Sequence, residues 1–243
     1  MNTMDICKEN FTIAGVPAVL YGEAAEKLLI YLHGRMGCKE EAASLIPLFC
    51  PKGYQILALD LPEHGSRRPE HGERRDDPTD KKECLPWVVI PEWTAMLAWV
   101  RQRYEHISFC AVSMSAWFLM RSFRDERFEK AYFISPIVDM RRVIEDMMAR
   151  AGVTASDLGW KQFIPTDEGM LIWDYYAYAA YQPINRWDTP TEVLYAKGDV
   201  LQPQSTIEAY AKRFGWHVTV IEGQHWIPLD TPVLQAWMGE QKK

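Results

Sequence analysis

The sequence predicts an α/β fold, with a mostly parallel central sheet flanked by helices and a helical insertion after the sixth strand. Short β-branched and aromatic runs alternate with amphipathic segments, as when parallel strands are joined by helical crossovers. One stretch, Val138 to Trp187, is far longer than a usual crossover and carries its own helical periodicity. The chain has 243 residues, 48% hydrophobic and 25% charged, which suits one soluble domain with a single core. The expected division is a core of residues 1–137 and 188–243, with residues 138–187 as a helical lid.

The buried strands are read from near-continuous apolar runs. They are Leu28 to Leu32, Tyr54 to Leu59, Ile107 to Val112, Ala131 to Ile134, Glu192 to Ala196 and Trp216 to Ile221. Phe11 to Ile13 and Pro17 to Tyr21 are briefer and suit an antiparallel edge. Pro91 to Tyr104 puts Trp93, Met96, Leu97, Val100 and Tyr104 on one helical face, with Pro91 in the first turn. Ser205 to Gly215 offers a capping box, Ser205 with Glu208, and a closing glycine. Thr231 and Pro232 open a last helix that should bury Val233, Leu234 and Trp237. Within the insertion the helical patterns are Asp139 to Arg150 and Asp167 to Tyr181, whereas Glu63 to Glu83 is so charged that it suits a solvated loop.

A formal charge of −6 argues against nucleic acid as a partner, because phosphate neutralisation needs a basic surface. The five cysteines form no CxxC pair, and the six histidines no HExxH pair, so neither a disulfide framework nor a metal site is expected. No apolar stretch approaches the roughly 18–20 residues of a membrane span. The first residues lack the basic patch and apolar run of a secretory signal. A soluble cytoplasmic protein, monomer or homodimer, is the expectation.

The strand Ile107 to Val112 runs into Ser113 and then at once into the helical Met114 to Arg124. A serine on such a turn has its hydroxyl pushed clear of the backbone, and the next N–H points to where an oxyanion would form. In Ala111-Val112-Ser113-Met114-Ser115 the next smallest residues replace the flanking glycines of G-x-S-x-G. The same segment also reads as a strand–helix junction with a capping serine. Asp199 follows the strand Glu192 to Ala196 and can orient a histidine, although a Gly-Asp turn gives the same pattern. His225, in the loop before the closing helix, can take and return the serine proton. What singles these residues out is their order, Ser then Asp then His, each past the end of a successive strand. Asp139, just past another strand, is a rival acid. His33-Gly34-Arg35-Met36-Gly37 follows the strand Leu28 to Leu32, and the backbone N–H groups of Arg35 and Met114 are the expected oxyanion donors.

On these residues the sequence resembles the α/β-hydrolase superfamily, near its esterase, lipase and serine aminopeptidase-like branch. The matching positions are His33 and Gly34, Asp60 with His64 and Gly65, Ser113, Asp199 with Pro203 following, and His225. The resemblance implies the α/β-hydrolase fold and a carboxylic-ester or related acyl hydrolase that uses no metal or organic cofactor. Glu63 stands where the family usually has glycine, and the elbow lacks both of its glycines. The expected insertion is rich in rings, so Trp173 and Tyr176, with Trp226 beside His225, are candidate contacts for a small-molecule ester carrying an apolar or aromatic moiety. Peptidase, carbon–carbon bond hydrolase or acyltransferase chemistry would use the same residues. A binding protein with a drifted elbow is the reading from another class.

Overall fold

The computed structural model describes residues 7–69 and 84–239. Its main sheet has eight strands, and the chain order of the labels is β1 (Lys8–Ile13), β2 (Val16–Tyr21), β3 (Lys27–Leu32), β4 (Tyr54–Leu59), β5 (His106–Val112) and β6 (Lys130–Ile134). A separate hairpin, β7 (Phe163–Thr166) and β8 (Gly169–Ile172), precedes the last two sheet strands, β9 (Thr191–Ala196) and β10 (His217–Ile221). The spatial order is β1-β2-β4-β3-β5-β6-β9-β10. β1 and β2 pair antiparallel with each other, β2 pairs antiparallel with β4, and the remaining six strands run parallel. The expected antiparallel edge is therefore present, and Ala14 and Gly15, both at positive φ, supply its two-residue turn.

From β3 the chain goes first to β4 on one side and then to β5 on the other. The strand order reverses there, the place at the strands' C-terminal ends where open α/β sheets usually carry their sites. The sheet is covered on both faces. Leu28, Ile30 and Leu32 point to one core and Leu29 and Tyr31 to the other, as the two-residue period of a strand requires. Helices α2 (Pro86–Arg101), α3 (Met114–Ser122) and α7 (Gln204–Phe214) close the first face, while α1 (Ile46–Phe49) and α8 (Pro232–Gly239) close the second.

Several local expectations are corrected. Helix α2 begins at Pro86, so Pro91 lies inside it. Both prolines suit a first turn, and the buried face formed by Trp93, Met96, Leu97 and Val100 outweighs the backbone bond that Pro91 cannot make. Helix α7 starts at Gln204 without the Ser205 cap; the Gln204 side chain donates to Glu208 instead, while Gly215 closes the helix at φ 71 as expected. In α8 it is Met238, with Leu234 and Trp237, that is buried, and Val233 is half exposed.

The segment between β6 and β9 holds α4 (Met140–Arg150), α5 (Ala155–Lys161), the β7–β8 hairpin and α6 (Trp173–Tyr181). The second helical pattern thus starts at Trp173 rather than Asp167, because residues 163–166 and 169–172 pair as strands across a turn in which Gly169 takes φ 138. The charged loop expected over residues 63–83 is in part folded. His64 is buried, and Arg67 makes a forked ion pair with Glu92 at 2.8 and 2.7 Å. Arg68 reaches the Met36 carbonyl, and Arg74 and Arg75 lie outside the described residues.

Candidate active site

Ser113 sits between β5 and α3 with φ 54 and ψ −123, a conformation that L residues enter only when their surroundings force it. The forcing contacts are visible. Its N–H donates to Ile134 of β6, and its carbonyl accepts from Ile137 past the end of β6. Ala111 and Ser115 are both fully buried, so the small residues flanking the turn are small for lack of space. Ser115 has a second task that its size alone did not announce, since its hydroxyl donates to the His33 carbonyl at 2.5 Å and ties α3 to the end of β3.

The Ser113 hydroxyl is 2.8 Å from His225 Nε2, and His225 Nδ1 is 2.7 Å from Asp199 Oδ2. These residues, far apart in sequence, form one hydrogen-bonded chain. The loops after β9 and β10 meet because Gly198 has no side chain: a Cβ there would lie 2.5 Å from the Gly223 carbonyl, to which the Gly198 N–H donates. The Asp199 side chain is shut off from solvent, and its other oxygen, Oδ1, accepts from the N–H groups of Leu201 (2.8 Å) and Gln202 (3.4 Å). A carboxylate held on both oxygens can orient an imidazole and stabilise its cation. Asp139, the rival acid, instead caps α4 by accepting from the Arg142 N–H.

The opposite wall is the loop from His33 to Lys39. A Cβ at Gly34 would stand 3.2 Å from the Ser113 Cβ and 3.3 Å from Val112, so glycine lets the loop lie against the Ser113 turn without displacing it. Residues 34–37 form a tight turn, closed by Gly37 N–H on the Gly34 carbonyl with Met36 at φ 69. Arg35 lies in this turn, and its side chain reaches away to the Glu168 carbonyl in the β7–β8 turn at 3.0 Å. Met114 is the first residue of α3, so its N–H has no partner within the helix.

This loop is anchored from below by polar groups around the buried Asp60, and the partners of Asp60 were not revealed by the sequence pattern. Asp60 accepts from the Lys39 N–H (2.9 Å) and ammonium (2.7 Å) and from the Ser66 N–H (3.0 Å) and hydroxyl (2.7 Å). Burial opposes its charge, but the bonds from Lys39 and Ser66 win and hold the carboxyl below the usual carboxylate range. Gly65, at φ 52, leaves room for that carboxylate, which a Cβ would approach to 2.0 Å. His33 accepts from the Leu61 N–H through Nε2 (3.0 Å) and faces the Gly34 carbonyl through Nδ1 (2.8 Å), the pattern of a neutral ring. Burial pushes its pKa down to about 4. Lys39, Ser66, Ser115 and Gln202 are thus the supporting residues that sequence reasoning missed; Lys39 next to the Asp60 motif gave no signal by spacing.

The ring candidates separate by position. Trp173 packs on Gly159 of α5 and on Tyr176, whose hydroxyl donates to Glu145 of α4, so these two rings hold the segment between β6 and β9 together. The rings on the other side of α6, Tyr175 and Tyr178, approach Trp117 of α3. Trp226, next to His225, is 78% exposed, and Met36 and Val200 on the neighbouring loops are also largely in solvent. Among the described residues no group of three or more His, Cys, Asp or Glu side chains is placed to hold a metal ion, and no helix is long and apolar enough to cross a membrane.

No protein-family model matches the sequence, and no curated protein matches it. The likeness to solved structures is extensive. Est1E from Butyrivibrio proteoclasticus superposes with a TM-score of 0.68 at 14% identity, covering 96% of each chain. The esterase Pf2001 of Pyrococcus furiosus gives 0.63 at 16% identity over 97% of this chain and 91% of the other. TT1662 from Thermus thermophilus gives 0.67 at 20% identity over 98% of this chain and all of the other. At such identities the likeness carries architecture rather than activity, and with the strand order and the placement of the turn after β5 it establishes that this chain has the α/β-hydrolase fold.

Proposed function

We propose that the chain is a serine hydrolase that cleaves a small-to-medium carboxylic ester through an acyl-enzyme on Ser113. The observation that carries the reading is the continuous chain Ser113 Oγ, His225, Asp199, with both links under 3 Å. As the Ser113 oxygen attacks the ester carbonyl, His225 Nε2 takes its proton, and Asp199 keeps the ring in the tautomer with hydrogen on Nδ1. The carbonyl oxygen becomes an oxyanion received by the N–H groups of Met114 and Arg35, each such donor being worth ~3 kcal/mol. His225 then returns the proton to the leaving alcohol. In the second half-reaction it deprotonates a water that attacks the acyl carbonyl, and it hands that proton to Ser113 Oγ as the acyl–oxygen bond breaks and the acid leaves.

The neighbour in Pyrococcus furiosus that bears the name esterase supports the ester as substrate class. Residues 138–187 act as a lid in this reading, with Trp173 and Tyr176 shaping it from within and the exposed Trp226 meeting an apolar or aromatic part of the ester. A fluorophosphonate probe tests the nucleophile. Labelling of the wild type and none of Ser113→Ala is expected, with hydrolysis of para-nitrophenyl esters lost in step by at least ~10⁴-fold. Labelling that persists in Ser113→Ala, or a wild type that neither labels nor turns over any ester, overturns the proposal.

A further inference from the structure

We infer that Gln202 is a positioning residue for Asp199, acting by locking the acid loop to the residues that leave β6; the inference rests on the acid role proposed above. Gln202 is completely buried. Its side-chain oxygen accepts from the N–H groups of Val138 (2.9 Å) and Asp139 (2.8 Å), while its amide nitrogen donates to the carbonyls of Leu201 (3.2 Å) and Asp139 (3.4 Å). Its own N–H donates to Asp199 Oδ1, and its carbonyl accepts from the Tyr195 hydroxyl at 2.9 Å.

The neighbouring residue Ile137 donates to the carbonyl of Ser113. The buried amide therefore ties the acid loop to the start of the segment between β6 and β9, while the Gln202 backbone N–H reaches the Asp199 carboxylate and Ile137, beside Val138, reaches the Ser113 turn. The site needs an acceptor on one side and a donor on the other. A neutral primary amide meets both needs, and an ionised carboxylate meets only the first. Gln202 touches none of the reacting atoms, so its effect runs through the direction in which Asp199 points.

Gln202→Glu separates positioning from mere stability. While protonated, the introduced carboxyl still offers one acceptor and one donor. Once ionised, it sets an oxygen against the Leu201 and Asp139 carbonyls and adds negative charge beside Asp199, among the titratable groups Asp139, His225, the Tyr195 and Tyr210 phenols and Glu208. The ratio of variant to wild-type kcat/KM on a para-nitrophenyl ester is expected to be near one at acid pH and to fall roughly 10- to 100-fold as pH rises. A ratio that stays constant with pH overturns the inference.

Should that variant fail to fold, Tyr195→Phe decides, since it removes only the bond to the Gln202 carbonyl. A few-fold lower kcat at unchanged KM is expected, and an unchanged kcat refutes the role. The His225 Nδ1–H proton, observed by low-field NMR, gives a readout independent of turnover. It should move upfield in either variant, and a signal identical to wild type also counts against Gln202. Failure of the hydrolase reading looks different, because there the wild type itself takes up no fluorophosphonate.

Discussion

On one side of Ser113 the loop from His33 to Lys39 rests on a buried ionic cluster centred on Asp60. On the other side the loops bearing Asp199 and His225 are brought together by the close backbone approach at Gly198, and the neutral amide of Gln202 ties the Asp199 loop to the residues that leave β6. The side formed by the His33–Lys39 loop therefore depends on charge and on protonation, and the side bearing Asp199 and His225 depends on shape. A site assembled this way can lose its two halves independently, through different insults.

The largest expected effect breaks the charged half. Asp60→Ala leaves the Lys39 ammonium buried without its main counter-charge, and a loss of ~3–5 kcal/mol in urea unfolding is expected. An unfolding midpoint like that of the wild type would show that the cluster does not hold the loop.

The next effect follows from His33. Its folded pKa, about 4, lies below the ordinary 6.5, so between those values the unfolded chain binds more protons. Stability from this ring is complete above pH 6.5 and is lost as pH falls through about 4. That span is worth roughly 3 kcal/mol in unfolding free energy. Asp60, also depressed, adds to the loss at still lower pH by the same sign. In His33→Gln the loss between pH 6.5 and 4 should shrink, the remainder coming from His64, whose pKa burial also lowers, and a slope equal to that of the wild type would assign the acid sensitivity elsewhere.

Gly198→Ala attacks the half held by shape. The added methyl would sit 2.5 Å from a backbone oxygen, so the acid and base loops must part. The expected outcome is a fall of ~10²-fold in kcat/KM on a para-nitrophenyl ester, with little change in the acid dependence of stability. The smallest effect joins the two halves. Ser115→Ala removes one buried hydrogen bond from α3 to His33, and a stability loss of about 1 kcal/mol by urea titration is expected.

The sequence made Ser113, Asp199 and His225 legible because each lies just past a strand whose apolar run is unmistakable, and strand ends set where side chains can meet. The supporting residues were illegible for the converse reason. Lys39 finds Asp60 across 21 positions, and Gln202 finds Val138 across 64, with no local periodicity to announce either pair. The β7–β8 hairpin was missed because its strands have only four residues each, too few for a two-residue period to stand out before the helical run from Trp173. The start of α2 was misplaced because two prolines, Pro86 and Pro91, offer the same signal. The face of α6 that meets the core was undecidable from the sequence, since rings occupy both sides of it.

The tight fit at Gly34 stands beside the open surroundings of Met36, Val200 and Trp226. For protein engineering this marks out a map: a mutational library should leave codon 34 untouched, because even a methyl there presses on the turn that carries Ser113. Codons 200 and 226 lie on open surface and can be varied without repacking the interior, whereas codon 36, at φ 69, should be limited to residues that tolerate a positive φ.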